Sequence, residues 1–279
     1  DPAVYQQQVR EALITYLALG LAPKRSTIFI QSHVPAHSEL MWLLNTITPY
    51  GELQRMVQFK TWAEKYSDHV TAGILNYPIL QAADILAYKP VAVPVGEDQV
   101  QHIELARDLA KKFNRDFGQT FPEPQPMLTT TKRVMSFDPE SKMSKSEKNG
   151  LLLSDDPETI ADKMKKAVTS SEPRVIREAM LAATVGESKA KTWNGDPNLQ
   201  KQFAGVTTLF TILLALGDDA SRAHWREAAD SGELKFSELK PALATMIADH
   251  FADFRTKRAA LMKNTSYVDD VIADGAKRA

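Results

Sequence analysis

The sequence predicts an α/β domain over residues 1–150 followed by an all-helical domain over residues 151–279. Three observations predict it. In the first half, helical stretches alternate with short runs rich in β-branched residues, the rhythm of an α/β fold. At residues 91–99 an apolar run, VAVPV, meets Gly96 and then the acidic helix start Glu97-Asp98-Gln99. Beyond Gly150 the apolar periodicity is helical and little of it reads as strand.

The elements follow in order. Residues 4–19 carry Val9, Leu13 and Leu17 at four-residue spacing and stop at Gly20, which predicts an amphipathic helix. Residues 26–31 (STIFIQ) predict a strand. Helices are predicted over 37–47, ended before Pro49, and over 51–65. Residues 77–88 (YPILQAADILAY) predict another, with Pro78 at its first position, where a missing N–H is harmless. Residues 91–95 predict a buried strand with Val93 and Val95 on one side. The turn at 96–99 opens a helix to about Phe113, striped by Ile103, Ala106, Ala110 and Phe113. Residues 121–126 read as a Pro-rich connector and 133–136 as a strand leading to a Lys/Ser loop. Asp155-Asp156-Pro157-Glu158 starts the helical half, with acids beside the positive end of the helix dipole. Helices are then predicted over 157–168, 173–183, 198–215, 219–230, 236–262 and 267–278.

Composition excludes several chemistries. Net charge is −1, so no global basic field draws in DNA, and any nucleic-acid contact must come from a local patch. There are no cysteines, which removes disulfides, thiolate nucleophiles and cysteine-ligated zinc together. No apolar run is read as membrane-spanning, and no membrane partner is expected. The Gly-rich Lys-Ser/Thr motif of P-loop NTPases is absent. His33 and His37 flank Val-Pro-Ala, but Pro35 and the lack of a Glu after the first His argue against a zinc-protease pattern. Both read as loop or helix-start residues, and no metal ligand is expected among the side chains.

Candidate binding chemistry gathers in three places. Lys142-Met143-Ser144-Lys145-Ser146 puts two ammonium groups three residues apart with hydroxyls beside them, and the turn signal Asn149-Gly150 follows. Such a loop suits a polyphosphate, because an ammonium is a point charge that can follow a moving phosphate; the alternative is a solvated polar loop. Tyr77, Gln81 and Asp84 fall at i, i+4 and i+7, on one face of their helix. A phenol, an amide and a carboxylate there would line a polar-tipped pocket, or form a partly exposed face. Gly96 permits close approach of a ligand to backbone, and strand–glycine–helix junctions are where open α/β sheets bind ligands. Asp98 would accept from ribose hydroxyls, or simply cap a helix, and Gln99 can donate and accept. The cluster Lys163, Lys165, Lys166 and Arg174 reads as a solvated face.

Taken together, GELQRMVQFK, YPILQAADIL, VPVGEDQVQHIELARDLAKKFN and RVMS followed by KMSKS resemble the class I aminoacyl-tRNA synthetases, and within them the tryptophanyl-tRNA synthetases. The resemblance spans nearly the whole chain and is strongest over residues 51–146. It implies a Rossmann-like parallel-sheet catalytic domain followed by a helical anticodon-binding domain, as a homodimer. It implies activation of tryptophan by ATP with Mg2+, then transfer to tRNA(Trp). On the matching positions, Asp84 would accept from the indole N–H, and Tyr77 and Gln99 would hold the amino and carboxylate end. Gln81 would share that pocket, and Val93 and Val95 would wall the ring. Gly96, Glu97 and Asp98 would meet the ATP ribose, Val134 the adenine with Met143 nearby, and Lys142, Ser144, Lys145 and Ser146 the phosphates.

The chain departs from the family at several points. The N-terminal strand and His-Ile-Gly-His-type segment do not appear after Asp1, which predicts that the chain as it stands does not make aminoacyl-adenylate. Gln81 stands where many relatives carry Met, and the Tyr-Gln-Asp spacing is shared with tyrosyl-tRNA synthetases, the rival reading. Trp62 stands where relatives often have lysine, and Gly205-Val206-Thr207-Thr208 departs from Gly-Val-Ser-Asn. A reading of another class is a non-catalytic paralogue that binds RNA or regulates. The compartment expected is a bacterial cytoplasm or the mitochondrial matrix.

Overall fold

A computed structural model of the chain describes residues 1–65, 70–128, 150–185 and 196–279. The strand expected at 133–136, with Val134, and the loop residues Lys142, Met143, Ser144, Lys145 and Ser146 lie outside the described residues. The chain forms two compact units, Asp1–Arg25 with Lys132–Asp269, and Ser26–Thr131 with Asp270–Ala279. This division differs from a single boundary near Gly150 at both ends of the chain. The N-terminal helix packs among the C-terminal helices, and the last turns of the chain join the α/β unit. There Gly275 passes so close to the backbone of Ile28 that an added Cβ would clash with its carbonyl oxygen.

In the α/β unit, α2 (Ala36–Ile47), α3 (Tyr50–Gln54), α4 (Val57–Lys65), α5 (Ala72–Leu86) and α6 (Val100–Phe117) surround two strands, β1 (Ala92–Val95) and β2 (Gln125–Leu128). The strands pair in parallel, Ala92 opposite Gln125 and Val95 opposite Leu128, with α6 as their crossover. The core is Leu44, Leu53, Ile79, Leu86, Ile103 and Leu109 with their neighbours, and Val93 and Val95 pack against it from the sheet.

Five expectations are corrected here. Residues 26–31 are extended at Ile30, but no described strand pairs with them, and a ladder needs a partner for its N–H and C=O groups. The helix expected over 51–65 breaks at Arg55–Met56, where Met56 turns into the core and the Val57 N–H is taken by Gln101 Oε1 at 2.9 Å. α5 begins at Ala72, not beside Pro78. Thr71 caps it by accepting from the Ile74 N–H, and Pro78 sits buried inside the helix. β1 alternates exposed and half-buried residues and is not a buried strand, and β2 lies within what reads as a connector because Pro126 disguises it.

The other unit is helical: α1 (Pro2–Ala18), α7 (Pro157–Lys165), α8 (Pro173–Val185), α9 (Pro197–Leu216), α10 (Asp219–Ser231), α11 (Phe236–His250) and α12 (Ala252–Lys263), with the start of α13 (Thr265–Arg278) as far as Asp269. Side-chain caps start α1, α7, α9 and α10 at Asp1, Asp156, Asp196 and Asp218. The run expected as one helix over 236–262 breaks at Phe251, where Arg255 donates to the Ala248 carbonyl at the end of α11. Lys240 donates to the Lys165 and Ala167 carbonyls at 3.0 and 2.7 Å, closing the C-terminus of α7. α9, contrary to expectation, is long and apolar enough by length and composition to cross a membrane. Its Phe203, Val206, Leu209, Phe210 and Leu213 are instead buried in the core of this unit. α1 docks on the C-terminal helices through Arg10, which pairs with Asp269 at 2.5 Å and donates to the Thr265 carbonyl at 2.8 Å.

Candidate active site

One face of α5 carries the site. The 3.6-residue repeat places Tyr77, Gln81 and Asp84 along it, while Ile79, Ala82, Ala83 and Leu86 face the core. All three polar side chains are half-buried, so each keeps one side open.

At the C-terminal end of this face, Asp84 is held on both oxygens. Gln31 Nε2 donates to Oδ2 at 2.5 Å, and His37 Nδ1 lies 2.5 Å from Oδ1. The other ring nitrogen of His37, Nε2, lies 2.7 Å from the Tyr88 hydroxyl. His37 is the second residue of α2 and is 3% exposed. The Phe29 ring packs against His37 and Tyr88, with centroids 5.6 and 5.8 Å away. Burial, and then the charge of Asp84, push the Tyr88 phenol above its ordinary value. An ionised carboxylate offers about four lone-pair positions, so two protein donors leave Asp84 able to accept from a ligand N–H.

At the other end, the Tyr77 hydroxyl donates to Gln58 Oε1 at 2.5 Å and lies 3.2 Å from His102 Nε2. Since the hydroxyl hydrogen goes to Gln58, His102 must donate from Nε2. Its Nδ1 is then a buried acceptor with no partner among the described residues. His102 is 1% exposed; burial lowers its pKa from 6.5, with Asp98 pulling the other way. Tyr77 is raised by burial.

Between the ends, Gln81 Nε2 donates to Gln99 Oε1 at 3.3 Å, and Gln99 Nε2 donates to Asp98 Oδ2 at 3.1 Å. This ties α5 to the turn Glu97–Gln99 that follows β1. Asp98 caps no helix: Gly96 and Gln99 occupy the N-cap positions and neither position has a side-chain cap. Its carboxylate stays exposed beside Gly96, where an added Cβ would stand 2.8 Å from Oδ1. Gly96 and Glu97 are exposed there too, so the turn presents backbone and carboxylates outward.

The structure thus brings together Tyr77, Gln81, Asp84, Gln99 and Asp98, with Val93 and Val95 on the strand below the turn. It adds Gln31, Gln58, Tyr88, His37 and His102, none of which the sequence pattern singles out as a site residue. His102 sits inside the apolar stripe of α6, and a polar residue on such a stripe is the one local signal that marks it. Gln31 and His37 reach Asp84 across 53 and 47 residues, beyond any local periodicity. In the helical unit, Lys163 pairs with Asp155 at 2.7 Å, Lys165 with Asp162 at 2.9 Å and Arg174 with Glu178 at 3.1 Å. Lys165 and Arg174 are exposed, as a solvated face requires, whereas Lys163 is half-buried between Asp155 and the Gly150 carbonyl.

Comparison with known proteins places the chain in one family. The family described as tRNA synthetases class I (W and Y) matches residues 2–250. The tryptophan–tRNA ligase of Gloeobacter violaceus is 37% identical over 284 aligned positions, spanning all of this chain and 77% of that protein. Among solved structures, tryptophanyl-tRNA synthetase from Campylobacter jejuni complexed with ADP and tryptophan superposes with a TM-score of 0.78 at 27% identity. It matches all of this chain and 79% of its own. The Mycoplasma pneumoniae tryptophanyl-tRNA synthetase gives 0.73 at 29% identity, again over all of this chain and 79% of its own.

Proposed function

The chain belongs to the tryptophan–tRNA ligases, within the class I tRNA synthetases for tryptophan and tyrosine, and on that premise we propose that Asp84 is the residue that selects tryptophan. The observation that carries this is the fixed carboxylate: both oxygens are pinned by Gln31 and His37, and the side chain still has an open side. The indole N–H donates to Asp84. Tyr77 and Gln99 hold the amino and carboxylate end, with Gln81 beside them, and Val93 and Val95 flank the ring.

Gly96, Glu97 and Asp98 meet the ribose of ATP, which brings Mg2+ with it as part of the substrate. The tryptophan carboxylate attacks the α-phosphorus, pyrophosphate leaves, and the aminoacyl group passes from the adenylate to a hydroxyl at the 3′ end of tRNA(Trp), with AMP as the leaving group. Positioning the two reactants supplies much of the rate, so no protein nucleophile is needed. Lys142, Ser144, Lys145 and Ser146 stabilise the charge that builds on pyrophosphate, and Val134 and Met143 hold the adenine.

The test is tryptophan-dependent ATP–pyrophosphate exchange by the full-length protein. Asp84→Ala is expected to raise the KM for tryptophan about ten- to a hundredfold, the loss of one hydrogen bond to a charged group, while the KM for ATP stays put. An unchanged KM for tryptophan overturns the assignment.

We further propose that the protein works as a homodimer and binds the tRNA anticodon through its helical unit. Trp42, Leu43, Tyr50 and Val57 on α2 to α4 are large and exposed, and a second copy would bury them. Sedimentation is expected to give a dimer that Trp42→Glu with Val57→Glu dissociates. A monomeric parent protein contradicts this.

A further inference from the structure

We propose that His37 is a positioning residue for substrate selection: it fixes the Asp84 carboxylate in the orientation that receives an indole N–H, and Tyr88 fixes His37. The inference rests on the assignment of Asp84 to the indole and goes beyond it. The hydrogen-bond directions are set by the partners. An ionised carboxylate only accepts, so His37 Nδ1 carries the hydrogen directed at Oδ1, 2.5 Å away. In the neutral ring Nε2 then accepts, and Tyr88 donates to it across 2.7 Å.

The chain therefore runs Tyr88 O–H to His37 Nε2, then His37 Nδ1–H to Asp84. Phe29 packs against both rings and holds their planes. Between His37 and Asp84 burial differs in the way a ligand site requires. The His37 side chain is 4% exposed, and the Asp84 side chain in front of it 32%. A carboxylate pinned from behind and open in front presents its remaining lone pairs in one direction. Gln31 fixes the second oxygen but, alone, leaves the carboxylate free to pivot about that contact. Second contacts of this kind orient the groups that touch a ligand.

The experiment compares kcat/KM for tryptophan and for 3-benzothienylalanine, in which sulfur replaces the indole N–H, in the full-length protein. His37→Gln, which places no donor at the Nδ1 position, is expected to lower the preference for tryptophan about ten- to a hundredfold. The loss falls on the KM for tryptophan, with the analogue little affected. His37→Asn, whose amide nitrogen occupies the Nδ1 position, is expected to restore most of the preference. Equal losses for both substrates, or equal behaviour of Asn and Gln, overturn the positioning role. Tyr88→Phe keeps the imidazole and is expected to lower the preference in the same direction by less. It keeps the question open to measurement if His37→Gln does not fold, and an unchanged preference there overturns the chain of contacts. Asp84→Ala separates the two claims. A preference that survives it removes the Asp84 assignment and this inference together. A preference lost in Asp84→Ala but kept in His37→Gln removes this inference alone.

Discussion

In the proposed role Asp84 meets its ligand with two bonds already made, and that ordering matters more than its charge. A mobile surface carboxylate would have to lose side-chain freedom on binding; this one has lost it on folding. Tyr77 is arranged in the same way by Gln58 and His102. Tyr77→Phe is therefore expected to act twice. It raises the KM for tryptophan, and it destabilises the α/β unit by about 1–3 kcal/mol, because the buried His102 loses its partner. Chemical denaturation reads the second effect, and an unchanged midpoint contradicts it. On the proposed reading Lys145 acts in the transition state and not in the ground state. Lys145→Ala is expected to add about 3–4 kcal/mol to the activation barrier with the Kd for tryptophan unmoved, and equal losses in both would contradict that role. At this scale the sequence shows only what is local. Tyr77, Gln81 and Asp84 are legible because a helix repeats every 3.6 residues. Gln31 and His37 are not, because folding alone brings them to Asp84.

Elements were legible where a cap or a stripe marks them and illegible where a partner decides. Asp156 before Pro157 starts α7 where expected, since a capping carboxylate and a first-turn proline act locally. Pro78 misleads because Thr71 caps the helix upstream and the buried ring is tolerated inside it, despite the lost backbone bond. Residues 26–31 have the composition of a strand, but composition cannot supply the neighbour. Close packing also shows at this scale. Gly205 in α9 lies against Val168, where an added Cβ would stand 2.6 Å from the Val168 carbonyl oxygen and 2.8 Å from its Cβ. Gly205→Ala is expected to cost about 1–3 kcal/mol of stability in the helical unit, read as a lower unfolding temperature. A stability equal to that of the parent would show that α9 can shift away from Val168 at no cost.

The molecule as a whole couples its site to pH through burial. His102 titrates below 6.5 when folded and near 6.5 when unfolded. The unfolded chain thus takes up a proton that the folded one refuses, and stability is expected to fall as pH drops below 6.5. His102→Gln is expected to flatten that part of the profile; an unaltered slope would place its origin elsewhere. A second loss follows in stronger acid. The capping carboxylates Asp156 and Asp218 are held below their ordinary 3.8, chiefly by hydrogen bonds from Thr159 and Ser221. Their contribution is complete above 3.8 and is lost as pH falls through the lowered folded values. The α/β unit and the helical unit therefore meet acid through different groups.

The claim on which the rest depends is that Asp84 accepts the indole N–H. The most direct measurement is the proton resonance of that N–H in 15N-labelled tryptophan bound to the full-length protein. A strong downfield shift in the parent, lost in Asp84→Ala at saturating tryptophan, is the expected result. A resonance at the same position in both proteins would contradict the account.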